Sequence, residues 1–271
     1  MTVAVRDEQP PRVRARLSLD LRPAAAVALP LAALAAGVGV WWLLKLAFGW
    51  ESFILPSPAD VGRELWAQRS FLPGQFWTTL LETLEGFGLA IAIGIPLAVT
   101  IAYSRTLERS VYPLLVAVNA VPKLALAPIL VLWMGFGSGP KVVMVLLICV
   151  FPIVLSTATG LQSTPPELEE LVRSLTATRL QGFRKVRFPA ALPHVFVGLK
   201  VAISLAVIGA VIGEFVGATR GLGYVIVASG QNANTALAFA SIVLLALMSV
   251  VLFYALVALE RLLVPWAGRE Q

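Results

Sequence analysis

Long apolar stretches broken by short polar ones set the plan of this chain. Runs over about 24–48, 76–103, 111–135, 140–162, 193–217 and 236–265 are each long enough to cross a hydrocarbon layer ~30 Å thick, which takes roughly 20 residues of helix. Their continuity argues for helices rather than the ten-residue alternation of a membrane barrel, and backbone groups in lipid must be satisfied within the segment. The pattern predicts an all-α integral membrane protein of about six transmembrane helices.

Two polar connections have structure of their own. In the first, Phe53-Ile54-Leu55-Pro56-Ser57-Pro58 leads into Ala59–Arg69; Ser57 suits a helix cap, Pro58 the first turn, and Val61, Leu65 and Trp66 share one face. This predicts an amphipathic helix on the outer surface, or a connection that anchors the next span. The second, 163–192, is longer than a turn between spans requires. Thr164-Pro165-Pro166-Glu167 fits a capping box, Leu168, Leu171, Val172 and Leu175 form an apolar stripe, and a second short helix is expected to start near Thr178. On that helix Leu180 and Phe183 share the apolar side, Arg179, Arg184, Lys185 and Arg187 face solvent, and Pro189 and Pro193 punctuate the return to the membrane. Such an amphipathic pair reads as a docking surface.

Composition supports the membrane reading: 58% of the 271 residues are hydrophobic, 13% are charged and the mean hydropathy is +0.86. The net charge of +6 does not form a basic patch interleaved with aromatics, which argues against nucleic acid and for lipid headgroups. Placing the N-terminus inside puts fourteen of the 21 lysines and arginines in 1–23, 104–110, 163–192 and the C-terminal end, so both termini are expected in the cytoplasm. Arg63, Arg69, Lys141 and Arg220 then fall in outer segments. The first run is too long for a cleavable leader and reads as an uncleaved span. Residues 1–23 are expected to be a cytoplasmic tail and 24–267 a single transmembrane domain.

Catalytic sets are not evident. Gly137-Ser138-Gly139-Pro140-Lys141 lacks the spacing of a phosphate loop, the sole histidine is His194, and the sole cysteine, Cys149, lies in an apolar run. No metal site and no bound cofactor are expected.

Glu170-Leu171-Val172-Arg173-Ser174-Leu175-Thr176, followed after nine residues by Val186-Arg187-Phe188-Pro189, resembles the "EAA" signature of ABC importer permeases: Glu-Ala-Ala, three residues, Gly, nine residues, Ile-x-Leu-Pro. Thr176 stands where the family usually has glycine. Leu55-Pro56-Ser57-Pro58, Gly86-Phe87, Pro122-Lys123-Leu124-Ala125-Leu126-Ala127-Pro128 with Trp133, and Gly221-Leu222-Gly223-Tyr224 look like the branch serving nitrate, sulfonates, taurine, bicarbonate and pyrimidine vitamin precursors. The resemblance implies the type I importer permease fold and alternating access. It also implies a second permease copy in a homodimer, two ATP-binding subunits that handle ATP and Mg, and an extracytoplasmic solute-binding protein. Residues 165–188 would be coupling helices that enter the ATPases, with Glu167, Glu169, Glu170, Arg173, Thr176, Arg184, Lys185 and Pro189 at that contact. The expected cargo is a small anionic solute of the nitrate, sulfonate or taurine kind, with a neutral pyrimidine vitamin precursor as the alternative; the rivals to an importer are an ion-coupled secondary transporter acting alone and a membrane enzyme.

Four ionisable residues are candidates for the transport path. Lys123 follows Pro122 near the middle of the third run, roughly 18 Å from either end by helical rise. It lines the path and favours an anionic solute, pairs structurally with a glutamate, or marks a misplaced span. Glu82 and Glu85, three apart, line an entrance or bond neighbouring helices, the latter being favoured. Glu214 is expected to brace an outer gate, with Arg220 a possible partner. Lys200 is expected to snorkel, and Gly86, Gly88 and Gly94 to permit close helix packing.

Overall fold

The computed structural model describes residues 22–165, 167, 168, 170 and 174–266. Ten α-helices are labelled here: α1 (Arg22–Phe48), α2 (Pro58–Ala67), α3 (Leu72–Tyr103), α4 (Arg105–Ala120), α5 (Lys123–Met134), α6 (Gly139–Gln162), α7 (Arg179–Gly182), α8 (Phe188–Glu214), α9 (Leu222–Gln231) and α10 (Thr235–Leu263). Glu167, Leu168, Glu170 and Ser174 are also helical, and no strand occurs among the described residues. Helix α1 belongs to one unit and the chain from Trp50 onward forms a second.

Residues 72–103, 139–162, 180–214 and 235–263 are helical and apolar enough to cross a membrane unbroken. The third predicted run differs. It is two helices, α4 and α5, meeting at 88° across Val121–Pro122. Pro122 cannot donate to the ladder and disfavours the helical conformation at Val121, whose ψ is 130°.

The core of the second unit is α3, α6 and α8. Small residues let these helices approach, which suits lipid, where association rests on packing rather than on hydrophobic expulsion. Ala202, Ala206 and Ala210 of α8 are fully buried, and a Cβ on Gly209 or Gly213 would lie within 3 Å of the α6 backbone at Val145 or Lys141. On α3, a Cβ on Gly86 would collide with Val145, and one on Gly94 would press on Ile153. Gly88 has open space instead, so its expected packing role is not seen.

The amphipathic helix before α3 is α2. Ser57 and Asp60 complete a capping box, Pro58 opens the first turn, and Val61 is buried. Trp66 departs from the predicted face: it is 72% exposed, with the Arg69 guanidinium over its ring.

Candidate functional site

The 163–192 segment is assembled from local capping and from contacts with the ends of two core helices. Thr164 does not cap: its hydroxyl is buried and makes no hydrogen bond, so the expected capping box at that position is not formed. The box lies fourteen residues later, at Thr178. Its N–H donates to Gln181 Oε1 (2.8 Å) while Gln181 N–H donates to Thr178 Oγ1 (3.3 Å). Between the two helical pieces Thr176 sits at φ 55°, the left-handed region that favours glycine, and its hydroxyl donates to Leu175 O. The departure from the EAA pattern therefore keeps a glycine-like turn and fills it with a β-branched residue.

Beyond α7, Phe183–Arg187 forms a π turn that runs straight into α8. Neither Pro189 nor Pro193 ends the helix, contrary to the sequence expectation; Pro189 sits in the first turn of α8, just past the widened turn, and Pro193 is accommodated inside. One helical body thus runs from Leu180 to Glu214. Its lower end is tied down twice. Phe183 packs between Tyr103 at the end of α3 and Phe188, with ring centroids 5.8 and 5.7 Å apart. Arg187, expected in solvent, is half-buried and donates from Nη2 to Leu161 O at the end of α6. Arg184, Lys185, Glu167 and Glu170 are exposed, and so are Leu168, Leu175 and Leu180 at 39%, 68% and 63%. Glu169, Arg173, Leu171 and Val172 lie outside the described residues.

Lys123 stands at the break between α4 and α5. Half-buried, it donates from Nζ to Asn119 O (3.0 Å) and Asn119 Oδ1 (2.8 Å), so the ammonium covers the C-terminal carbonyls of α4 where the helix dipole is negative. It pairs with no glutamate among the described residues. The 18 Å depth inferred for a straight span does not apply to a helix broken at this residue.

A cluster of polar side chains is buried at the opposite end of α8. Glu82 on α3 accepts a hydrogen bond from Lys141 on α6 (2.6 Å), with side chains only 5% and 8% exposed. The sequence placed Lys141 in an outer loop; it lies instead in the first turn of α6, facing α3. Glu85, 60° round the helix, is exposed and shares neither the pair nor the burial. Glu214, 1% exposed, does not turn to Arg220. It accepts from Thr79 Oγ1 (2.7 Å) and from Gly223 N–H (2.6 Å). Thr79 accepts in turn from Leu222 N–H (2.8 Å), and Gln75 Oε1 from Gly221 N–H (2.7 Å). Gly221-Leu222-Gly223 thus has a physical reason: φ at Gly221 is 112°, and a Cβ on either glycine would fall within 3 Å of the Glu214 carboxylate. Lys200 does not snorkel but pairs with Glu260 of α10 (2.7 Å).

Sequence reasoning missed Lys141, Thr79, Gln75 and Asn119. A signal existed for Lys141, because an acidic residue inside an apolar span calls for a cationic partner on a neighbouring one. The others are uncharged residues that only the packing brings to a helix end.

Comparisons with known proteins agree with this architecture. The family of binding-protein-dependent transport system inner membrane components matches residues 90–269. The formylaminopyrimidine transport permease protein ThiX of Halalkalibacterium halodurans is 37% identical over 85% of this chain and 93% of its own length. The riboflavin transport system permease protein RibX of Chloroflexus aurantiacus is 38% identical over 86% and 90%, and the taurine transport system permease protein TauC of Escherichia coli 29% over 90% and 92%. Among solved structures, a chain of the MetNI methionine ABC transporter in an inward-facing conformation superposes with a TM-score of 0.65 at 24% identity, covering 72% of this chain and 97% of that one. An all-helical body of membrane-crossing helices, a structured polar segment after α6 and a family match over most of the chain lead to one assignment: the protein belongs to the family of binding-protein-dependent transport system inner membrane components, the multi-pass permease subunits of ABC importers.

Proposed function

We propose that two copies of this chain pair to form the translocation path, that two ATP-binding subunits carrying ATP and Mg dock on the 163–192 segments at the cytoplasmic end, and that a solute-binding protein delivers cargo at the other. Both termini are then cytoplasmic, and the permease itself does no bond chemistry. The observation that carries this reading is the exposure of three apolar side chains, Leu168, Leu175 and Leu180, together with Glu167, Glu170, Arg184 and Lys185, on a segment whose Phe183 and Arg187 are held to the ends of α3 and α6. An amphipathic helix of this kind fits a partner's groove, and a rigid attachment passes the partner's motion into the spans. Glu169, Arg173, Thr176 and Pro189 complete the proposed contact.

For the solute, a small nitrogen heterocycle of the vitamin-precursor class is favoured by the higher identity to the permeases named for formylaminopyrimidine and riboflavin than to the one named for taurine. An organic anion is the second reading. It is favoured by Lys123, a cationic residue that opens α5 at a helix N-terminus with no side-chain cap and turns its ammonium back onto the end of α4. Reconstitution with the ATPase and binding protein tests both: ATP-dependent uptake of a formylaminopyrimidine over taurine supports the first, and the reverse order, abolished by Lys123→Ala, supports the second. Uptake that continues with a hydrolysis-dead ATPase would rule out the importer reading.

A further inference from the structure

The N-terminus of α9 is capped by other helices. Its cap residue, Gly221, has no side chain, and three consecutive backbone donors are each taken by a different distant group: Gly221 N–H by Gln75, Leu222 N–H by Thr79 and Gly223 N–H by Glu214. A helix start leaves such donors orphaned unless something accepts them, and a local serine or aspartate usually does. A local cap travels with its helix. Here Gln75 and Thr79 are one turn apart on α3, Glu214 ends α8, and Thr79 joins the two by donating to Glu214 Oε1. The donors of Gly221 and Leu222 stay satisfied only while α3 keeps its present place at this end, whereas the Gly223 donor is held by Glu214 of α8. Glu214 adds a charge-dipole contribution, since its carboxylate lies at the positive end of α9. No side chain at 221 or 223 could enter without displacing that carboxylate.

We infer that Gln75, Thr79 and Glu214 form a releasable latch on α9, closed in the conformation described and opened when the path opens at the end away from the coupling segment. This rests on the permease reading above. Alternating access needs one end of the path to widen while the other narrows, so helices at this end must separate in one of the two states. Widening that moves α3 away from α8 removes the acceptors of Gly221 and Leu222 together and leaves Gly223 on Glu214, and the two freed amides then meet water in the opened path. Gln75, Thr79 and Glu214 are in this sense positioning residues: they set where α9 sits and touch no solute.

Amide hydrogen exchange on the full transporter in lipid nanodiscs tests the latch, comparing the nucleotide-free complex with the complex trapped by ATP and vanadate. The expected result is slow exchange at 221 and 222 without nucleotide and exchange faster by about tenfold or more in the trapped state. Thr79→Val, which keeps the shape and loses the hydroxyl, should exchange fast at 222 in both states, while Thr79→Ser should behave as the parent. If residues 175–187 respond to trapping and 221 and 222 do not, the latch is wrong and the importer reading stands. If neither segment responds, both fall. Parent-like protection at 222 in Thr79→Val would also overturn the latch, and the comparison on the unsubstituted protein does not depend on any variant folding.

Discussion

Replacing Lys141 by methionine should be among the most damaging single changes in the body of the protein. The substitution keeps an unbranched side chain of similar length and removes the ammonium that lies 2.6 Å from Glu82. The Glu82 carboxyl is left 5% exposed, with one oxygen newly deprived of its donor and the other already without a partner. Breaking a buried pair in this one-sided way costs about 3–5 kcal/mol, whereas replacing both members by apolar residues is often neutral or favourable. For a body of this size that corresponds to a fall of about 6–20 °C in melting temperature. Cys149 is the only cysteine and is fully buried, so a thiol-reactive fluorophore reports unfolding in detergent without added labels. Glu82→Leu combined with Lys141→Met should return to within about 1–2 kcal/mol of the parent, so the cycle shows strong coupling. Were the double variant to lose as much as the two single ones added together, the pair would contribute nothing through its charges and the reasoning would fail.

Two further substitutions separate shape from chemistry. Thr176→Gly should raise the stability of the coupling segment, because a β-branched residue in the left-handed region costs about 1–2 kcal/mol, against which glycine's added freedom in the unfolded chain takes back about 0.5–1 kcal/mol; limited proteolysis within 163–192 should slow, and unchanged or faster cleavage would count against a strained turn. Gly86→Ala should destabilise by more than about 1 kcal/mol because its Cβ would collide with Val145 Cβ, while Gly88→Ala, with nothing within 4 Å, should be neutral or slightly favourable; equal thermal shifts for the two would contradict the packing of α3 on α6.

Four of the six spans were legible because apolar length alone decides whether a helix can cross lipid, and α3, α6, α8 and α10 cover the second, fourth, fifth and sixth runs; the third is a bent pair, and in the first the apolar helix described as Ala32–Phe48 is shorter than a span. The break at Val121–Pro122 was not legible, although Pro122 was in view. Proline also occurs inside α3, α6 and α8 without stopping them, and whether it kinks or ends a helix depends on the neighbours that receive the freed carbonyls. At Pro122 the Asn119 carbonyl is taken by Lys123, which makes a terminus stable there. The 163–192 segment was legible as a helical connection carrying a motif, but not the left-handed turn at Thr176, because threonine carries no local signal for that conformation. Charges were found more readily than their partners. Glu82 and Glu214 stand out in apolar runs, while Lys141, Thr79 and the amide of Gly223 come to them from 59, 135 and 9 residues away.

The uninterrupted helix from Leu180 to Glu214 makes its two ends a single lever. Its 35 residues measure about 52 Å, so a tilt of only ~5° about one end displaces the other by about 4–5 Å, more than the length of a hydrogen bond. Had Pro189 or Pro193 broken the helix, a push at Arg184 and Lys185 would be absorbed in a hinge. As it stands, the angular phase of Glu214 about the axis is fixed by how the helix is seated at Phe183 and Arg187, and one residue inserted between them would swing that carboxylate round by ~100° and out of reach of Gly223.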